Sequence, residues 1–398
     1  MWKTIPLGEV ADVKAGNSAP QDESFFHKGS VPFVRTSDVG AVRKGRLATA
    51  RDFLNSTKVE KFRVFPKGTV LFPKSGASTL LNHRVILSTE ACVSSHLAGI
   101  KACTSEVLDS YLFYFLQTID AADLLADSSY PSLQIKVIQQ IPILVPPLAE
   151  QKRIVERLDK AFAEIDKAQN ANAKSERQLM VVLENAVAKL LITPKSTSEL
   201  TELSEFLDET ITGPFGSSLH KSDYTDNGVA VINPQNILNG EISTSNCNFI
   251  SYEKAKDLSR YSLQVGDIVL GRRGEMGRCA VVDASEKKMI CGTGCMILRA
   301  KSGCSPYYLA ELIRSKYIRS VLEKNSIGMT MANLNQKILL NVKIPRDSYR
   351  NQIERVNTCR RLREFVDSAI TIRKNKANKL TDIRRSILKQ ELTPSEAV

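Results

Sequence analysis

Histidine is scarce in this chain, with four in 398 residues, at positions 27, 83, 96 and 220. A zinc site or an imidazole-based triad therefore has little material to draw on. The eight cysteines lack framework spacing, which argues against a disulfide scaffold and fits reduced thiols. Cys279, Cys291, Cys295 and Cys304 fall near one another, yet no CxxC knuckle accompanies them, and buried thiols are the simpler reading. No P-loop GxxxxGKS/T occurs, so ATP hydrolysis is not carried here. A methyltransferase acting on adenine needs a glycine-rich cofactor turn after a strand and an Asn/Asp-Pro-Pro-aromatic loop at the extruded base. Both are missing; the nearest approach, Asn233-Pro234-Gln235-Asn236, has Gln235 and Asn236 where proline and an aromatic should stand. No catalytic residue, cofactor or metal ligand is assigned. No apolar run is long enough to span a bilayer and the opening MWKTIPLGEV lacks the regions of a signal peptide, so the expectation is a cytoplasmic protein without a membrane partner.

What the chain does have is positive charge and length. The surplus is +12, with 42% hydrophobic and 25% charged residues, the balance of a globular protein that meets an anionic partner. Its length suggests two to three domains. Residues 148–191 contain neither glycine nor proline. Val155, Leu158, Phe162, Ile165, Leu179, Leu183, Ala186 and Leu190 follow one 3-then-4 ladder there, the seam of a helix that packs lengthwise on another. Gln169, Asn172 and Glu176 interrupt the ladder in its middle. Such a helix would reach roughly 65 Å at 1.5 Å per residue and needs a partner to be held.

The chain is a tandem repeat. Leu7, Glu9 and Asp12 match Leu203, Glu205 and Asp208; KGTVLFPKSG (67–76) matches VGDIVLGRRG (265–274); SLQIKVIQQIPI (132–143) matches NLNQKILLNVKI (333–344). Gln151 with Gln352 and Asp166 with Asp367 keep the same offset as the last pair. Near-constant offsets at separate places indicate duplication. Each copy reads as short β-type runs, such as VPFVRTSDV (31–39), GTVLF (68–72) and HRVILST (83–89), with an amphipathic helix over 109–119 or 306–322. Each then closes with a long helix, and in the second copy Val356, Cys359, Val366, Ile370, Leu380 and Ile387 form its seam around a polar run at 371–379. TPKSTSE (193–199) is the linker.

The expected fold class is α/β (α+β), with domains at 1–147 and 199–346 and long helices at 148–192 and 347–393. Those helices are expected to pair as an antiparallel coiled coil with pseudo-twofold symmetry. A basic protein presenting two similar surfaces in line fits duplex DNA. Charge on the helices is unequal: residues 150–190 hold eight basic and seven acidic side chains, and 350–390 hold twelve and four. The excess is either a solvated face or a border to DNA phosphates or an acidic partner subunit.

At the repeat junction, IPILVPPLAEQKRIVERLDKAFAEID (141–166) resembles the central region of specificity subunits of type I restriction-modification enzymes. LTDIRRSILKQEL (380–392) is similar to the end of that family, and NLNQKILLNVKIP (333–345) to its second pre-helix segment. The second copy departs from the pattern, with Pro345-Arg346-Asp347-Ser348-Tyr349-Arg350 in place of a second Pro-Pro-Leu-x-Glu. The resemblance implies two target recognition domains, each reading half of a split double-stranded DNA sequence, and two helices that fix the distance between the halves. It also implies two methyltransferase subunits docked on the helices and motor-nuclease subunits joined through them, so the methyl donor, ATP and magnesium belong to partners. A non-catalytic coiled-coil scaffold with incidental DNA affinity is the alternative.

Direct readout needs Arg or Lys against guanine and Asn or Gln against adenine, on loops that enter a groove. The candidates in the first copy are Arg35, Thr36 and Ser37, then Lys74, Ser75 and Ser78, then Tyr130 and Ser132. Their positional counterparts are Asn233, Gln235 and Asn236, then Arg272, Arg273 and Glu275, then Thr330 and Asn333. Turn chemistry or phosphate contact is the plain reading of each. Arg272 and Arg273 stand out because Gly274 beside them permits close approach of the backbone.

Overall fold

The computed structural model describes residues 2–125, 131–192, 200–215, 218–283, 288–324 and 334–393. It divides into two compact units, residues 1–172 with 375–398, and residues 173–374. The sequence copies and the compact units therefore differ. Each unit holds one globule, part of the helix Leu148–Ile192 and part of the helix Tyr349–Glu391.

In the first unit the main sheet runs Ala11–Ala15, Leu97–Ala102, Val70–Pro73, Arg84–Leu87, Lys44–Leu47. Its neighbours are antiparallel except for the parallel pair Lys44–Leu47 with Arg84–Leu87. Val70–Pro73 and Arg84–Leu87 are buried along their whole length, which is why they read as unbroken runs rather than alternating ones. A second sheet orders Asp52–Leu54, Val31–Val34, Ala91–Val93 and Val64–Phe65. Helix Asp109–Leu116 packs Tyr111, Leu112 and Phe115 into the core; it stops three residues short of the expected end. Lys3–Pro6 pairs with Pro142–Val145 and so ties the start of the chain to the strand that feeds the long helix.

The second unit repeats this plan. Leu207–Thr212, Cys295–Ala300, Ile268–Gly271 and Cys279–Val281 form an antiparallel sheet. Val229–Ile232 lies parallel to Met289–Cys291 in the second sheet, as Val31–Val34 lies parallel to Ala91–Val93 in the first unit. Leu200–Glu202 pairs with Lys343–Pro345 before the second long helix. The expected helix over 306–322 is two, Pro306–Arg314 and Lys316–Lys324. Ser315 breaks it: its backbone is extended, and its Oγ donates to the Leu312 carbonyl at 2.6 Å and accepts from the Ile318 N–H at 3.4 Å. The side chain thus replaces the helix bonds on both sides of the break.

The repeated glutamines have a matching structural role. Gln151 is fully buried; its Oε1 accepts the Leu108 N–H at 2.9 Å, and its Nε2 donates to the carbonyls of Glu106 at 2.7 Å and Pro146 at 2.8 Å. Gln352 accepts the Ser305 N–H at 2.8 Å and donates to Asp347 at 3.0 Å. Each amide pins the first turn of a long helix to the loop leading into the globular helix of its own unit.

Within each unit the two long helices run antiparallel. In the first, Arg157 pairs with Glu391 at 2.5 Å, Asp166 with Arg384 at 2.6 Å, and Gln169 donates to Thr381 at 3.4 Å. In the second, Arg373 donates to Ser175 at 2.8 Å and Arg355 to the Leu190 carbonyl. The seam is wider than a heptad ladder. Leu183, Val187 and Leu191 are buried in fours, Ala186 and Leu190 are half-buried, and Leu388 and Leu392 join Val155, Leu158, Phe162 and Ile165 in the core of the first unit. Each helix touches both a partner helix and a globule, and that needs a broader apolar stripe than a two-helix seam. Gln169, Asn172 and Glu176 are half-buried, so the polar centre is neither a sealed core nor a fully open face.

Candidate nucleic-acid interface

The run VPFVRTSDV does not continue as a strand. Val31–Val34 ends at Arg35, and Thr36–Val42 is helical. Asp38 causes the change: its carboxylate accepts from the backbone N–H groups of Arg35 at 2.7 Å and Arg51 at 3.1 Å, capping the helix start. Arg35 itself is braced, with Nε donating to Asp52 at 2.5 Å and the guanidinium 5.4 Å from the centre of the Phe33 ring. Thr36 is half-buried and Ser37 exposed in the first turn.

A short loop joins the other candidates. The strand end at Val34 accepts from the Ser94 N–H at 2.9 Å, and Lys74 N–H donates to the His96 carbonyl at 2.9 Å. Ser75 Oγ lies 2.7 Å from His96 Nδ1, and Ser78 Oγ donates to the Ser75 carbonyl at 3.3 Å. Ser132 stands opposite Ser75 in an antiparallel bridge, and Leu133 N–H donates to Lys74 at 2.7 Å. The loop Ser94–His96 therefore joins the strand end before Arg35 to Lys74, and Lys74 and Ser75 in turn hold the Ser132 segment.

The second unit builds the same junction from different residues. Gly292 N–H donates to Ile232 at 2.8 Å, Arg272 N–H to Gly294 at 2.8 Å, and Leu334 N–H to Arg272 at 2.8 Å. Asn233 Oδ1 accepts from Gly294 N–H at 3.3 Å. A side chain at Gly292 would fall 2.4 Å from Asn233 Oδ1, and one at Gly294 2.7 Å from Pro234 Cδ. Glycine at both positions is what lets this loop close. Arg272 is half-buried and its pKa is lowered, first by that burial and then by Arg273 beside it. Arg273 is exposed, next to Gly274 at φ +82°. Gln235 is exposed, but Asn236 is 3% exposed; its Oδ1 accepts from Asn233 N–H at 3.0 Å and its Nδ2 donates to Asn246 at 3.4 Å. Both ends of the Asn236 amide are thus engaged in shaping the turn. Glu275 faces Arg278 at 3.0 Å and Arg319 at 3.7 Å.

Tyr130, Thr330 and Asn333 lie outside the described residues. Sequence reasoning passed over Ser94–His96 and Gly292–Gly294, although the 198-residue offset that aligns Lys74 with Arg272 also aligns these loops. Chemically, each junction offers a cluster of donors and acceptors on tight turns, one with Lys, Ser and His, the other with Asn, Gln and Arg.

The profile of the type I restriction modification DNA specificity domain matches residues 1–175 and again 196–381. The chain belongs to this family. It is a type I restriction-modification specificity subunit, the DNA-recognition member of such a complex. It is 22% identical to the EcoBI specificity subunit of Escherichia coli, over 97% of this chain and 84% of that one. It is 24% identical to the MjaVIII specificity subunit of Methanocaldococcus jannaschii, over 98% and 92%. The fold matches a chain from a structure of the assembly and conformational transition of a type I R-M system, with TM-score 0.73, 18% identity and coverage of 98% and 97%. It also matches the HsdS subunit of Thermoanaerobacter tengcongensis, with TM-score 0.53, 17% identity and coverage of 98% and 96%. Among the described residues no helix is long and apolar enough to cross a membrane.

Proposed function

We propose that this specificity subunit is non-catalytic and reads a split duplex target, with residues 1–147 and 199–346 as the two target recognition domains. The observation that carries the proposal is the repeated junction: one backbone scheme presents Lys74, Ser75 and Ser132 in the first unit and Asn233, Arg272 and Arg273 in the second. Equivalent frames with unlike side chains are what two different half-sites require. Arg35, Thr36, Ser37, Ser78, Gln235 and Glu275 flank these groups and complete the proposed surface. The segments 148–192 and 347–393 act as spacers and hold two methyltransferase subunits, through which motor-nuclease subunits join in the cytoplasm. Val182, Phe365 and Ile372, exposed at 63%, 71% and 67% on the long helices, suit an apolar partner surface. The test is selection from random duplexes by the chain assembled with its methyltransferase subunits. Recovery of a two-part consensus supports the reading; recovery of unselected sequence, or methyl transfer by this chain alone, overturns it.

A further inference from the structure

In the first unit a cleft of about 940 Å³ lies between the globule and the last turns of the C-terminal helix, and Arg43, Lys44, His83, Arg384, Arg385 and Lys389 line it. Its acidic side chains are Asp120 and Asp166. Asp166 is taken by Arg384 at 2.6 Å, and Asp120 accepts from Asn82 at 2.7 Å and from Ala122 N–H at 3.0 Å. Among the described residues, Arg43, Lys44, Arg385 and Lys389 have no carboxylate within ion-pair distance, and all four are exposed.

Two further features mark the cleft as built. Arg43 has φ +66° and ψ −65°, a strained conformation for a residue with a side chain. Behind it Arg84 is fully buried over the Phe72 ring, donates to the carbonyls of His83 at 2.9 Å and Ile119 at 3.3 Å, and among the described residues its Nε has no hydrogen-bond partner. Lys44 is exposed along its stem, but desolvation of its ammonium end, followed by repulsion from Arg384, Arg385 and Arg84, lowers its pKa. Such crowding of like charge costs stability in the free protein.

The second unit has a corresponding cleft of about 620 Å³ beside Asn239 and Gly240. There Arg278 meets Glu275, Arg319 meets Glu184 and Glu275, and Arg314 and Arg363 share Glu311. Among the described residues all four arginines lining the second cleft are paired and only Lys316 is not, whereas the first cleft pairs Arg384 alone and leaves Arg43, Lys44, Arg385 and Lys389 without an ion pair.

We propose that the first unit's cleft binds a phosphate group of the DNA backbone beside the half-site which that unit reads. This rests on the DNA-recognition reading above. Continuity with the candidate readers favours a backbone phosphate as the occupant. The helix Thr36–Val42 runs from Arg35 to Arg43, about 10 Å at 1.5 Å per residue, a length comparable to about three base-pair rises along a duplex axis. The turn that follows Ser78 reaches the cleft at Leu81 and His83.

The test measures binding of the full chain to its selected duplex and to a scrambled duplex over a potassium chloride series. Lys44→Gln/Arg385→Gln is expected to weaken both by the same factor, on the order of tenfold, and to reduce the slope of log affinity against log salt by about two. Without DNA, its thermal midpoint should stay level or rise, because like charges have been removed. Lys389→Gln at the cleft's edge is expected to lower the slope by about one. Wild-type slope and affinity in both variants would overturn the proposal, provided the wild type still prefers its selected duplex. If the wild type shows no preference, the recognition reading itself fails. A rise in the wild-type midpoint with millimolar ATP, absent in the double variant and with DNA binding unaltered, assigns the cleft to a free nucleotide and overturns the DNA source.

Discussion

Replacing Gln151 by leucine keeps the volume of the side chain and deletes the three hydrogen bonds of a fully buried amide. Each such bond contributes about 1 kcal/mol net. The loss is therefore roughly 3 kcal/mol, concentrated where Leu108 begins the helix Asp109–Leu116. At 1.4 kcal/mol per decade, opening of that helix start should increase by about a hundredfold. Hydrogen exchange at the Leu108 amide reads this directly. Gln352→Leu removes only the bonds to Ser305 and Asp347, so its loss should be about 2 kcal/mol and confined to the second unit. Gln151→Glu adds a sign test. A buried carboxylate facing the Glu106 and Pro146 carbonyls has a raised pKa, so that variant should gain stability as pH falls toward the ordinary glutamate range of about 4. Unchanged exchange at Leu108 in Gln151→Leu would refute the clasp.

Arg273→Ala, at an exposed position beside Gly274, should cost roughly 1–3 kcal/mol of discrimination at one base pair of the second half-site; an equal loss on every base variant would make it a phosphate clamp. Leu183→Asp places a charge at a site only 6% exposed in the second unit's core, and a thermal melt should show a loss of at least about 3 kcal/mol. Burial pushes the Cys279 thiol from 9.0 up to about 11 and Cys295 to about 12. The unfolded chain then releases these protons first, so stability should fall from about pH 9 to pH 11, and Cys279→Ala should flatten the decline. Its size at Cys279 is roughly 1–3 kcal/mol, and a melting temperature constant over that range would count against the burial of these thiols.

Much of the fold was legible from the residues alone. Helix periodicity, turn-bounded apolar runs and a duplicated pattern are local or strictly repetitive signals. The glycine- and proline-free run at 148–191 lies inside the helix Leu148–Ile192, and the equivalence of Gln151 with Gln352 follows from the repeat offset alone. Local reading failed where a distant partner intervened. Asp38 turns the residues after Val34 from strand to helix through the Arg35 and Arg51 amides, and Ser315 splits one amphipathic pattern into two helices.

For the site, the sequence determined which residue types were available and that they occur in two unlike sets at equivalent places. Only the tertiary structure decided which of them meet. Ser94–His96 and Gly292–Gly294 join segments that carry candidate groups, tens of residues apart, through backbone hydrogen bonds, and Asn236 is turned inward by its own turn. The uncompensated cations of the first cleft are likewise invisible in a count of charges. Whether an arginine is neutralised depends on a carboxylate within about 4 Å in space, and that separation is set by packing across the chain.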